Sequence, residues 1–396
     1  MASKRNIRFG VIGCGLMGRE FASAAARWLH LLKLDFKPEI VAVCDSNPEM
    51  LHSFINELPT IEKSYTHYKQ LIADPTIEAV YCAVPHHLHE QIYIDIIESG
   101  KHLLGEKPFG IDLKANLNIL KVMDKNPNVI VRCSSEFPFY PGAYQIVQWV
   151  KENKFGSIIE VETGFWHSSD LDPNKQINWK RQVQTNGEYG CMGDLGMHVL
   201  HLPLRFGWEP KNVRGHLSNI IQHRPNANGD LVACNTWDNA ILTSDVTYRN
   251  QSFPMIFSMK RIAPGHANTW FIRIMGTRFS VEYNTKYPKQ IATLDFEPGQ
   301  SQGWKYVDLP YKSAYETITG SIFEFGFSDS ILQMWAAFCD ELIHGKEMSQ
   351  PFYCATPGEA LKTHYIFTAA LESQKTAKTV PLQENNRSDS YAGAKA

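Results

Sequence analysis

"GVIGCGLMGRE", residues 10–20, sets Gly13, Gly15 and Gly18 in a G-x-G-x-x-G spacing directly behind an apolar run. The preceding "IRFGVI" (7–12) reads as a strand buried on both faces, "REFASAAARWLHLL" (19–32) as a helix, and "EIVAVCD" (39–45) as a second buried strand. Together they make a βαβ unit. A glycine triplet alone serves any tight strand-to-helix turn, so the deciding residue is Asp45, the acid that closes the second strand. Gly13 then permits the turn, Gly15 lets backbone approach a pyrophosphate, and Gly18 lets the helix pack closely. The helix N-terminus favours the negative charge, and Asp45 would accept hydrogen bonds from ribose hydroxyls. Cys14, Leu16 and Met17 belong to the same nucleotide cradle.

The chain has 396 residues, beyond the size at which one core keeps growing, so two domains are expected. Hydrophobic residues make up 43% and charged residues 20%, with a net charge of -2. That balance supplies no field to gather nucleic acid or an anionic membrane, and points to a small-molecule partner. Eight cysteines occur without a C-x-x-C pair, and Cys14, Cys44 and Cys82 lie in strand-like or glycine-loop stretches, as expected of reduced thiols acting as small hydrophobes. Lys4 and Arg5 before an apolar stretch imitate a secretory signal, but Arg8 and the glycines interrupt it, and no twin-arginine pair is present. No run is long enough to span a bilayer, so the expected compartment is the cytoplasm.

The alternation continues through "EAVYCAVP" (78–85), "HEQIYIDIIESG" (89–100), "KHLLGEKP" (101–108), "DLKANLNILKVMDKN" (112–126) and "NVIVRCSSEF" (128–137). An open parallel sheet binds ligands beyond the carboxyl ends of its strands, where Asp45, Pro85, His89, Glu106, Lys107 and Ser135 fall. Past about residue 145 the segments become β-rich and alternating, as in "SIIEVETGFWH", "AILTSDVTY" and "WFIRIMGT". The expected architecture is an α/β N-terminal Rossmann domain (1–138) and an α+β C-terminal domain (139–382) with a large, mostly antiparallel sheet, ending in a polar tail (383–396). Helices are expected at "GDLGMHVLHLPLRFGW" (193–208) and, as a closing pair, at 329–345 and 356–376.

The order of the glycine unit, "VPHHLHEQI", "GEKPFGIDLKAN" and "GCMGDLGMH" resembles the glucose–fructose oxidoreductase, inositol dehydrogenase and MocA (Gfo/Idh/MocA) family of nicotinamide-dependent oxidoreductases. The resemblance covers residues 7 to about 380. It implies that Lys107 lies near the nicotinamide and the reacting hydroxyl, often with a cis peptide at Pro108, and that Asp194 and His198 match the family's aspartate and histidine. His89 matches the histidine opening the helix after the P-x-x-x-H turn, and Pro85 and Glu106 join the cofactor side. NAD is expected over NADP, because Asp45 would repel a 2′-phosphate and Ser46, Asn47 and Pro48 offer no cation. Homodimers or homotetramers built through the C-terminal sheet are implied as well. Two departures fall on the substrate side: His201 stands where many members carry aspartate, and the arginine common after the last Rossmann strand is absent from "SEFPFYPGAY".

Oxidising an alcohol needs a base for the hydroxyl proton and a group that steadies alkoxide charge. His198 suits the first task and Lys107 the second, with Asp194 orienting the imidazole or bonding the substrate; the alternative makes Lys107 the base. Asp194, His198 and His201 share one face of a helix, which could equally be a metal site or a structural face. No further spaced ligand cluster accompanies them, and no metal is expected. Eight of nine tryptophans follow residue 140, which suits sugar or polyol rings as well as core packing. The polar loop "HSSDLDPNKQINWKRQ" (167–182) offers His167, Trp179 and Arg181 as substrate contacts beside His201. The leading function is NAD-dependent oxidation of a secondary hydroxyl of a sugar, glycoside or polyol. The alternatives are an NAD-dependent glycosidase working by transient oxidation and elimination, and a non-catalytic nucleotide or sugar sensor.

Overall fold

The computed structural model describes residues 4–310, 312–320, 322–345, 348 and 352–382; the polar tail expected at 383–396 lies outside the described residues. The chain divides into two compact units, one running through Phe139 and joined by Ser313–Ala360, the other comprising Tyr140–Lys312 and the segment from Leu361.

The first unit contains β1 (Arg5–Ile12), α1 (Leu16–Ala26), β2 (Phe36–Cys44), α2 (Pro48–Glu57), β3 (Lys63–Tyr65), α3 (Tyr68–Ile72), β4 (Ala79–Cys82), α4 (His89–Glu98), β5 (His102–Gly105), α5 (Leu113–Lys125) and β6 (Val131–Cys133). Its six strands are parallel in the order β3-β2-β1-β4-β5-β6, the doubly wound Rossmann order. Ile12 sits in register with Cys44 on one side and Cys82 on the other, so β1, β2 and β4 end level. Register therefore brings Gly13, Asp45 and Ala83 to one rim. The first helix is shorter than the expected 19–32 and gives way to a 3-10 turn at Trp28–His30. Sequence reading assigned nothing between 46 and 77, where the structure has α2, β3 and α3. The start of α2 follows from a local signal, with Pro48 in the first turn and the Asn47 side chain accepting the Glu49 N–H at 3.0 Å.

The second unit contains α6 (Pro141–Lys151), β7 (Ile158–Trp166), α7 (Val183–Asn186), α8 (Cys191–Arg205), β8 (Asn212–Ser218), β9 (His223–Pro225), β10 (Leu231–Ala233), β11 (Asn239–Tyr248), β12 (Gln251–Lys260), β13 (Thr269–Gly276), β14 (Phe279–Asn284), β15 (Gln290–Asp295) and β16 (Lys305–Asp308). After α9 (Phe327–His344) and α10 (Pro357–Thr376), the short β17 (Val380–Pro381) joins the far edge of a nine-stranded sheet, β16-β15-β14-β13-β7-β12-β11-β8-β17. Only β7 and β12 pair in parallel. Period-two alternation buries Ala240, Leu242, Ser244 and Val246 of β11 and exposes Thr243, Asp245 and Thr247. Helix α8 lies on the buried face: the Thr163 hydroxyl of β7 donates to the Val199 carbonyl (3.3 Å) and the Trp270 indole of β13 to the His198 carbonyl (2.9 Å).

The observed division differs from a single cut at 138/139 in one respect, since α9 belongs with the first unit. Its Trp335 is fully buried against Phe21 (ring centroids 3.6 Å apart), Phe9 (5.3 Å) and Trp28 (5.9 Å). Arg27 pairs with Asp329 at 2.6 Å. Burying an indole against three aromatics of β1, α1 and the adjoining turn outweighs the long return of the chain, whose closure cost grows only slowly with length. No helix among the described residues is long and apolar enough to cross a membrane.

Candidate functional site

In the first unit the glycine turn is a fitted cradle. Gly13 has φ +96°, and a Cβ there would strike the Ala83 carbonyl oxygen; one at Gly18 would strike the Gly13 carbonyl oxygen. Gly15 faces open space and precedes α1, whose N-cap carries no side-chain hydrogen bond. Unobstructed backbone at an uncapped helix start is the geometry an anionic pyrophosphate needs, so the residues present fit a dinucleotide. The half-buried Asp45 does two jobs at this rim: Oδ2 accepts the Cys14 N–H at 2.8 Å and Oδ1 the Asn47 N–H at 2.9 Å. Each oxygen keeps a lone pair for a ribose hydroxyl. Leu16 is 76% exposed at the helix start and Met17 is half-buried behind it.

The neighbouring strand ends are tied together by His89. Its ring is fully buried, with Nε2 2.8 Å from the Val84 carbonyl and Nδ1 2.7 Å from the Pro108 carbonyl, so one imidazole bridges the turn after β4 and the turn after β5. Burial pulls its pKa down to about 4, although both carbonyls favour the cation, because a neutral ring can donate its single N–H to only one of them. Pro85 starts the first of these turns. The Lys107–Pro108 peptide in the second is cis, as the resemblance implied, and Lys107 is half-buried. Glu106 is buried, with its carboxylate accepting from the Tyr81 hydroxyl and its carbonyl from the Tyr93 hydroxyl, both at 2.7 Å. Sequence reasoning missed Glu136, next to the fully buried Ser135; burial and then Glu106 push its carboxyl up to about 8. Only the third dimension reveals that burial.

In the second unit, Asp194 is 1% exposed at the start of α8, with His198 one turn on and 3% exposed. Asp194 is gripped on both oxygens, Oδ1 by the Lys180 ammonium at 2.8 Å and Oδ2 by the Arg261 guanidinium. Arg261 also reaches Asp170 Oδ2 at 2.7 Å and Ser169 Oγ at 3.1 Å. Although burial pulls the Asp170 carboxyl up, Arg261, Arg224 and Arg181 hold it below its usual range. His167 and His198 pack edge-on against the same Phe165 ring, at 5.1 and 5.4 Å, so the structure gathers these two expected residues. Trp179 is half-buried in the turn that carries Lys180.

Two expected substrate contacts are placed otherwise. Arg181 is fully buried, bonded to Asp238 Oδ2 (3.0 Å), Asn219 Oδ1 (3.0 Å) and the Ile221 carbonyl (2.8 Å), and a small molecule reaches it only if that network opens. His201 is fully buried with Nε2 2.9 Å from the Arg205 guanidinium. Three of the nine tryptophans, Trp208, Trp270 and Trp335, are fully buried core residues. Cations meet both Asp194 oxygens, and among the described residues no group of three or more His, Cys, Asp or Glu is placed to hold a metal ion.

Residues 7–133 match the Gfo/Idh/MocA family, described as an oxidoreductase family with an NAD-binding Rossmann fold. That match to the Gfo/Idh/MocA oxidoreductases spans the Rossmann part of the chain. A levoglucosan dehydrogenase of Pseudarthrobacter phenanthrenivorans is 27% identical over 296 residues, spanning 71% of this chain and 74% of that protein. A glucose-6-phosphate 3-dehydrogenase of Bacillus subtilis is 24% identical over 76% of this chain and 79% of its own length. The solved structure of a levoglucosan dehydrogenase in complex with NADH and L-sorbose superposes with a TM-score of 0.84 at 21% identity, covering 96% of this chain and all of that one. At that identity the likeness establishes the fold of both halves of the chain. Lys180, Arg261 and Asp170 went unremarked in the sequence; the only available signal was the polar loop that carries Asp170 and Lys180.

Proposed function

We propose that this chain is an NAD-dependent dehydrogenase that oxidises, or in reverse forms, a secondary hydroxyl of a sugar, glycoside or polyol. The observation that carries the reading is the first unit's rim, where open Gly15 backbone and the two-oxygen Asp45 carboxylate stand ready for pyrophosphate and ribose. The sugar class is supported by the relatives, a levoglucosan dehydrogenase and a glucose-6-phosphate 3-dehydrogenase. Asp45 disfavours a 2′-phosphate, which makes NAD the cofactor in preference to NADP.

Bound NAD supplies the hydride acceptor. His198 takes the hydroxyl proton at its imidazole, the Lys107 ammonium steadies the developing alkoxide, and Asp194 provides fixed negative charge one helical turn from His198. His89 keeps the turns on either side of it in register, and His167 and Trp179 offer a polar edge and an aromatic face to the ring. The uncovered face of the large sheet mixes half-exposed Ile241, Ile256, Phe271 and Met275 with the Arg273–Glu162 pair (2.5 Å), which fits burial against a second copy. Light scattering should give a dimer or tetramer, and a 45.0 kDa particle would refute it. Incubating the purified protein with NAD and a panel of sugars, glycosides and polyols should produce NADH absorbance with at least one of them. Release of aglycone without net NADH would replace this reading with a glycosidase.

A further inference from the structure

The two cations on Asp194 are not equivalent. Arg261 is 7% exposed and shares its charge with a second carboxylate, Asp170. Lys180 is 28% exposed and its backbone is fixed on both sides, the N–H donating to Asn178 Oδ1 (2.9 Å) and the carbonyl accepting from Thr236 Oγ1 (3.0 Å). The ammonium also lies 5.5 Å from the centre of the Trp179 ring. A carboxyl as buried as Asp194 is driven toward its neutral form unless opposite charge meets it, and one guanidinium divided between two carboxylates does not supply a full charge to each.

We propose that Lys180 is a positioning residue of the reaction: its ammonium holds Asp194 ionised and fixed, so that negative charge stands one turn from His198 while the proton is taken. The proposal rests on the dehydrogenase reading above. Besides Lys180, Arg261 following β12 and Cys191 on α8 itself face Asp194, with Asp170 behind Arg261. Cys191 is kept a neutral thiol by burial, and it carries no part of the charge balance.

The test compares wild type with Lys180→Met and Lys180→Arg, loaded with NAD, on the best substrate of the panel. Lys180→Met should lower kcat by about tenfold and move the acid limb of kcat/KM up by about 1–2 pH units, the usual effect of losing one adjacent opposite charge. KM for NAD should not change, and Lys180→Arg should restore both quantities. A lysine that only braced the loop would alter stability without moving the limb. Independently of turnover, carbon-13 spectra of the aspartate carboxyls should reveal one group that titrates at higher pH in Lys180→Met than in wild type and Lys180→Arg. If the wild type oxidises nothing in the panel, the functional reading falls, and the carboxyl titration alone decides the proposal. Identical acid limbs, or identical carboxyl titrations where activity is absent, overturn it. Should Lys180→Met fail to fold, Lys180→Gln carries the same comparison.

Discussion

Replacing Asp45 by asparagine separates the two jobs of that side chain. The carboxylate accepts one N–H on each oxygen, from Cys14 at 2.8 Å and Asn47 at 2.9 Å. Asparagine offers one acceptor oxygen and one donor group, so one of the two N–H groups must face another donor. Losing one charge-assisted bond and leaving its donor unmatched costs about 1–3 kcal/mol, a fall in melting temperature of about 2–6 °C. The cofactor effect is separate. Weaker ribose bonding should cost NADH about tenfold in affinity, since bonds to charged acceptors are worth about 1.5–3 kcal/mol. Removing a negative charge about 5 Å from a 2′-phosphate relieves about 1.5 kcal/mol of repulsion even at the dielectric of water, about tenfold in favour of NADPH. The NADH-over-NADPH preference should therefore shrink by about a hundredfold. Fluorescence titrations of both cofactors with wild type and Asp45→Asn, alongside thermal melts, check the two effects. An unchanged preference would mean that Asp45 does not face the ribose, and an unchanged melting temperature that it does not brace the glycine turn.

Other perturbations test other parts. His198→Ala and Lys107→Ala should each lower kcat by about a hundredfold or more while NADH titrations stay normal; near-normal turnover in either variant removes that residue from the chemistry. His89 is neutral in the fold with a pKa near 4, below its unfolded value. Its contribution is therefore complete above about pH 6.5 and lost as the pH falls toward 4, by up to about 3 kcal/mol. Urea melts between pH 7 and 4 should lose less stability in His89→Gln than in wild type, and parallel losses would deny His89 that role. All eight cysteines are free and buried, and burial, with Asp45 adding to it, pushes the Cys14 and Cys44 thiols up to about 12. A thiol reagent should label the folded protein slowly and the urea-unfolded protein at once, and fast labelling of Cys14 in the native state would contradict that burial.

Local chemistry made the first unit readable. Short apolar runs bounded by turn signals fit strands buried on both faces, and glycines at positions where a Cβ would strike the Ala83 or Gly13 carbonyl leave few alternatives to a tight strand-to-helix turn. Within 46–77, β3 has only three residues and α3 only five, too short for either periodicity to register, whereas the ten-residue α2 carried a start signal in Asn47 and Pro48 that went unused. The helix at 327–344 was legible as a helix but not as part of the first unit. Its place depends on Trp335 finding Phe9, Phe21 and Trp28, and nothing in a helix's own sequence names its partner.

The candidate site divides in the same way. By itself the sequence placed what depends on immediate neighbours: Gly13, Gly15 and Gly18 in one turn, Asp45 at a strand end, and Asp194 and His198 one turn apart on a helix. Tertiary structure alone decided which charges meet. Arg181 and Lys180 are adjacent in the chain, yet one is sealed against Asp238 and the other reaches Asp194, and Arg261 arrives at the same carboxylate from the end of a distant strand. Charge carries no periodicity that marks its partner; pairing is set by which side chains the packed sheet and α8 bring together out of water, where an unmatched charge is too costly to keep.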